Sequence, residues 1–209
     1  EVLAALEAER FAALLPRLIE ELRDPEPHIR EAFLGVFGYL PGSLGPRLQP
    51  HLPAILPALV ASFGDEVETV RDMAVRASRV MLVHYLDDSE TFLLRAIQGG
   101  MESEAWRVRL STATLFGEFV QRLAGEDEAG SERLSRVMSE RLPEDVRSRM
   151  LSQLYLLRSD PASMVRQAAS ITWKNLVHNT PRTLRQVLPQ LMQDIIRFLG
   201  STLAERRQV

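Results

Sequence analysis

Apolar residues recur along this chain at steps of three and four, as in Ile29, Phe33, Val36, Phe37 and Leu40, with polar residues between them. That spacing predicts amphipathic helices that each bury one face. Leu, Ala, Arg and Glu dominate the composition and β-branched runs are few, so local propensity favours helix nearly everywhere outside the Pro and Gly positions.

The apolar segments themselves repeat. A Leu-Pro pair opens an apolar helix that leads to an Asp, and six residues past the Asp stands an Arg preceded by Val or Ile. One copy is Leu15-Pro16 with Asp24, Ile29 and Arg30, and another is Leu56-Pro57 with Asp65, Val70 and Arg71. Asp160, Val165 and Arg166 restore the Asp-to-Arg spacing, and Val108-Arg109 supplies a weaker copy with Ser103 in place of the Asp. A final half-unit opens at Leu188-Pro189. The arginines are 41, 38 and 57 residues apart, so the long interval holds an insertion.

Each unit is expected to be a pair of antiparallel helices, with the Asp capping the turn or the next helix start and the Val-Arg pair opening the second helix. One pair cannot bury its stripe alone, so neighbouring units must stack. The expectation is an all-α solenoid of about four to five antiparallel helix pairs. Residues 1–124 are assigned about three pairs, residues 125–131 an acidic surface loop, and residues 132–209 an extra short helix followed by further repeats, the last one truncated. Pro16, Pro53 and Pro57 are placed to bend the first helices, Gly99-Gly100 to end one, and Pro143 to open one. Asn179-Thr180-Pro181 predicts a helix from about Pro181 toward Leu199.

Composition narrows the chemistry. The absence of cysteine excludes disulfides and thiolate metal sites. The chain starts at Glu1, ends at Arg206-Arg207-Gln208-Val209 without a cap, and has neither a signal-peptide core nor a run of membrane-spanning length, so it reads as a fragment. The four histidines, His28, His51, His84 and His178, lack metal-ligand spacing, and no phosphate loop or nucleophile elbow occurs. No enzyme, cofactor, metal or small-molecule substrate is expected.

Charge is uneven. Residues 1–104 carry a net −8 and residues 105–209 a net +5. Between Arg147 and Arg185 the net is +6, with Asp160 the one acidic residue. Arg147, Arg149, Arg158, Lys174, Arg182 and Arg185 are therefore the candidates for contact with RNA or an acidic partner, against the plainer reading of a solvated surface. Asp24, Arg30, Asp65, Arg71, Arg109, Asp160 and Arg166 are repeat positions, expected to tie neighbouring units together through carboxylates or helix-end carbonyls. Trp106 and Trp173, each followed by a basic residue, are assigned to packing between repeats rather than to base stacking.

The pattern of Asp, Val-Arg and a small residue, filled by Ala74 and Ala169 but not by Phe33 or Thr112, resembles the HEAT/armadillo type of repeat. The tract Arg158-Ser159-Asp160, Val165-Arg166-Gln167-Ala168, Trp173-Lys174 and Asn179-Thr180-Pro181-Arg182-Thr183-Leu184-Arg185 is more particular. Together with Trp106-Arg107-Val108-Arg109 and Tyr39-Leu40-Pro41, it resembles the general control non-derepressible protein one family of large ribosome-associated translational activators. The resemblance implies a cytoplasmic scaffold with the ribosome, its RNA and proteins, and the starvation-response kinase of initiation factor two as partners of the full-length protein, and no membrane. It further implies a spacer or ribosome-facing place in the array rather than kinase docking. The competing reading is a protein-only adaptor of the transport or phosphatase-scaffold kind, holding peptides on a concave face.

Overall fold

The computed structural model describes residues 2–86, 90–125 and 130–200. Among them are ten α-helices and three short 3-10 turns, with no strand. Four helices precede the gap at 87–89: α1 (Val2–Glu20), α2 (Pro27–Leu44), α3 (Leu52–Ser62) and α4 (Glu68–Tyr85). Six follow it: α5 (Glu90–Met101), α6 (Trp106–Ala124), α7 (Ser131–Arg141), α8 (Glu144–Leu156), α9 (Ser163–Leu176) and α10 (Thr180–Leu199). The chain forms two compact units, Glu1–Ala96 and Ile97–Val209, so the division falls inside α5 and not at the acidic insertion. Most of that insertion, residues 126–129, lies outside the described residues, as does the tail from residue 201.

In the first unit α2 packs on α4, and α3 packs on α4. The core is made of Leu34 and Phe37 from α2, Ile55 and Leu59 from α3, and Val70, Ala74 and Met81 from α4, all essentially inaccessible. The buried stripe of α2 is rotated from the sequence expectation. Arg30, Leu34, Phe37 and Pro41 face inward, whereas Val36 is 40% exposed and Ile29, Phe33 and Leu40 are half-buried. Arg30 is tolerated on that inward face because its guanidinium is hydrogen-bonded to Asp24, Pro25 and Asp65. α2 ends at Gly45, which takes φ 53°, a value an L side chain rarely adopts, and whose carbonyl accepts the Tyr85 hydroxyl at 2.8 Å.

In the second unit α6 packs on α9 and α10 packs on α8. Phe116, Phe119, Val120, Met150, Leu154 and Val165 are its fully covered centre. The inserted α7 lies against α6, α8 and α9. Ser135 of α7 donates to the Leu176 carbonyl at 2.7 Å and accepts from the His178 amide at 3.1 Å, completing the C-terminal end of α9. Gly99 and Gly100 lie in the last turn of α5, which ends at Met101, at the helix end expected of them, whereas Pro143 is the residue before α8 rather than its first. α10 opens with Asn179, whose side chain accepts from the Arg182 amide at 3.0 Å, and Thr180 is its first residue.

Candidate functional site

The repeat positions build one device four times. Each Asp sits two residues before its helix cap and folds back on the turn: Asp24 accepts from the Glu26 amide at 2.8 Å, Asp65 from Val67 at 2.9 Å and Asp160 from Ala162 at 2.9 Å. Ser103 does the same for Ala105 at 3.3 Å with its hydroxyl. The arginine six residues on then donates Nη1 to two carbonyls of that same turn. Arg30 holds those of Asp24 and Pro25, Arg71 those of Asp65 and Glu66, Arg109 those of Ser103 and Glu104, and Arg166 those of Asp160 and Pro161, all between 2.7 and 3.0 Å.

This grip leaves Nε and Nη2 of each guanidinium pointing away from its own turn. In two copies the free edge takes the carboxylate of the following turn in a bidentate fork: Arg30 on Asp65 at 2.8 and 2.9 Å, and Arg109 on Asp160 at 2.6 and 3.0 Å. Both pairs are nearly buried, with side-chain exposures of 9% and 12% for the first and 12% and 4% for the second. Burial alone would raise the Asp65 carboxyl, but the hydrogen bonds from Arg30 and the Val67 amide and the positive charges of Arg30 and Arg71 outweigh it and hold it below its ordinary value. The hydrogen bonds that Arg30 donates to Asp65 likewise raise Arg30.

The basic candidates are spread over α8, the turn after it, α9 and α10, and the structure gives them different roles. Arg149 is bound to Asp145 one turn earlier at 2.7 Å. Counting from Arg147 overlooked Glu144 and Asp145 in the first turn of α8, and the local excess is smaller for it. Arg158 places its guanidinium carbon 4.9 Å from the Tyr155 ring centre and 5.6 Å from that of Trp173, with its Nε buried and unbonded. It is a packed side chain rather than a solvated cation. Lys174, Arg182 and Arg185 are exposed and Arg147 is half-exposed; none of the four contacts a carboxylate among the described residues. Trp173 is 2% exposed, meets Tyr155 edge to face, and donates its indole N–H to Thr180 at 3.0 Å. Trp106 departs from its assignment. It is the first residue of α6, 37% exposed, with the Arg107 guanidinium 4.8 Å from its ring.

Sequence reasoning missed a buried polar group. Asp194, 3% exposed, accepts from Ser152 at 2.7 Å, from Gln190 at 3.1 Å and from Arg197 at 3.2 Å. Arg197 also reaches Glu102 at 2.7 Å, and Glu102 accepts from the Gln153 amide. The signal was present, because Asp194 continues the Val187, Leu191 spacing and so falls on the apolar face of α10. No group of side chains among the described residues could hold a metal, and no described helix is long and apolar enough to cross a membrane.

Helix pairs joined through an Asp turn and a Val-Arg helix start define a HEAT-repeat array. Residues 10–208 match the family described as stalled ribosome sensor GCN1-like HEAT repeats, and the chain belongs to that family. It is 33% identical over its whole length to the mouse stalled ribosome sensor GCN1, 38% identical to the Arabidopsis thaliana protein ILITYHIA, and over 97% of its length 29% identical to the Saccharomyces cerevisiae eIF-2-alpha kinase activator GCN1. In each case it spans 8% of the relative's own length. A designed armadillo repeat protein aligns over 93% of this chain and 95% of its own, at 14% identity and a TM-score of 0.40, too distant a likeness to add to the argument.

Proposed function

We propose that this segment is a ribosome-facing stretch of a cytoplasmic scaffold that senses stalled or starved translation and activates the kinase of initiation factor two alpha. Membership of the GCN1-like family supports the scaffold role. The ribosome-facing role rests on one observation, the exposed Lys174, Arg182 and Arg185 and the half-exposed Arg147 in the second unit, which meet no carboxylate among the described residues. Ribosomal RNA would meet these cations through its phosphates, a contact that releases counterions and weakens with salt. Work is done by outer surfaces and not by a catalytic site. The kinase is a partner of the full-length protein, with this segment acting as part of the span between sites.

Replacing Arg147, Lys174, Arg182 and Arg185 together by Glu in the full-length protein tests the contact. Ribosome co-sedimentation is expected to weaken, and its dependence on salt to flatten by up to about one logarithmic unit per lost phosphate contact. Arg149→Glu, at a position already paired with Asp145, should change both far less. Unaltered co-sedimentation and salt slope in the fourfold variant would remove the ribosome-facing reading and leave that of a spacer.

A further inference from the structure

A guanidinium withdrawn from water needs an acceptor in place of the water it gives up. Arg30 and Arg109 find theirs in Asp65 and Asp160. Arg158 is half-buried too, yet none of its nitrogens is hydrogen-bonded among the described residues. Asp160, two residues on, is already engaged: Oδ1 accepts from Arg109 and the Ala162 amide, and Oδ2 from Arg109.

Two aromatic rings stand where a carboxylate would. Tyr155 near the end of α8 and Trp173 in α9 meet edge to face, and the Arg158 guanidinium carbon lies 4.9 and 5.6 Å from their centres. The rings attract the cation and restrict its swing without accepting from its donors. Trp173 is itself fixed, buried and tied through its indole N–H to Thr180. Nε is shut off from solvent, so the charge can be reached only along the Nη1–Nη2 edge. That edge presents two parallel N–H donors, which suit two oxygens of one phosphate.

We propose that Arg158 is a preset bidentate receptor for a phosphate of RNA, with Tyr155 and Trp173 as the residues that hold it in position. The proposal rests on the ribosome-facing reading above and names one contact within it. RNA is favoured over an acidic side chain because several cations at this place lack an acid. Lys174 follows Trp173, and Arg182 stands in the first turn of the helix that Thr180 opens, both exposed and meeting no carboxylate among the described residues. A lone carboxylate would satisfy Arg158 and leave those two, whereas a run of phosphates serves all three. Arg158 is already ordered, so it gives up less side-chain freedom on binding than Lys174 or Arg182 does.

Arginine footprinting of the full-length protein tests the contact. Phenylglyoxal, which adds across Nη1 and Nη2, should label Arg158 in the free protein, and ribosomes should protect it at low salt. A single-stranded RNA oligonucleotide should protect it as well, and a polyglutamate peptide of equal charge should not. Arg158→Met keeps a stem over the rings and removes the charge, so the slope of log affinity for ribosomes against log salt should fall by about 0.7, one phosphate contact. Arg158→Lys should keep the slope and bind more weakly, having lost the fork. A merely structural arginine would give both variants one slope. An Arg158 that stays unlabelled in the free protein, is labelled equally on the ribosome, or is protected by polyglutamate and not by RNA would overturn the inference. If the fourfold variant keeps its ribosome binding, the ribosome-facing reading falls and this contact with it; if that variant weakens while Arg158 stays open to the reagent on the ribosome, this inference alone falls.

Discussion

Arg30 is 8% exposed yet carries a full charge, which a protein interior tolerates only when the charge is paired and hydrogen-bonded. Its Nη1 is held by two carbonyls and its Nε and Nη2 by Asp65. Arg30→Ala leaves Asp65 without its main partner in a largely dry place and should cost about 3–5 kcal/mol, measurable by denaturant unfolding. Acid acts on the same pair. Asp65 is lowered in the folded state, so its contribution is complete above its unfolded value of about 4 and is lost as pH falls through the lower folded value. An Asp65→Asn variant should accordingly be less stable than the parent at neutral pH, and the gap should close below about pH 4.

Two glycines make a sharper comparison at this scale. Gly38→Ala adds a Cβ at ordinary contact distance from Ala77 and removes a helix-weakening residue, so it should stabilise by about 0.5–1 kcal/mol. At Gly117 an added Cβ would already stand 3.1 Å from the methyl of Thr172, a buried β-branched side chain with little rotamer freedom in a helix, and a larger side chain would have to go further. Gly117→Leu should therefore destabilise by about 1–3 kcal/mol through overpacking. Thermal midpoints of the two variants, moving in opposite directions, check both.

At the scale of elements, α7 and α10 show what pattern reading reached and what it did not. α7 was legible from Ser131 to Arg141 as the stretch between the glycine-flanked acidic segment and Pro143, and α10 from Asn179-Thr180-Pro181, because a capping residue and a helix-opening proline are local signals. The tertiary duty of α7 had no such signal. Ser135 reads as an ordinary surface serine, and only the fold shows it finishing the end of α9. Ser135→Ala should cost about 1 kcal/mol and raise amide exchange at His178, whose N–H loses its acceptor. Trp106 and Trp173 were indistinguishable by spacing. One stands at the very start of its helix and the other eleven residues into its own, and end position decided exposure.

At the scale of the whole chain, the repeat was readable because a few positions obey strict spacing: Asp, then six residues to the arginine. The partner of each fork was not readable. Arg30 and Asp65 are 35 residues apart, while Arg109 and Asp160 are 51 apart, and no fixed period connects both. The candidate cations were found by counting charge, which cannot see that Arg149 is neutralised by Asp145 or that Arg158 is spread over two aromatic rings. The charge contrast between the two halves belongs to this scale as well, a net −8 against a net +5. Binding of this 209-residue chain to an RNA oligonucleotide should be lost on raising salt from about 50 to 200 mM, and the charge-reversed fourfold variant should show little left to lose.

The pairing of Arg109 with Asp160 spans the acidic segment and all of α7, some sixteen residues more than its counterpart in the first unit, with the same bonds at its two ends. The regularity of such an array is thus kept in ångströms and not in residue number. Loops between successive layers are free to grow into whole helices, offering new exterior without disturbing the stack that carries them.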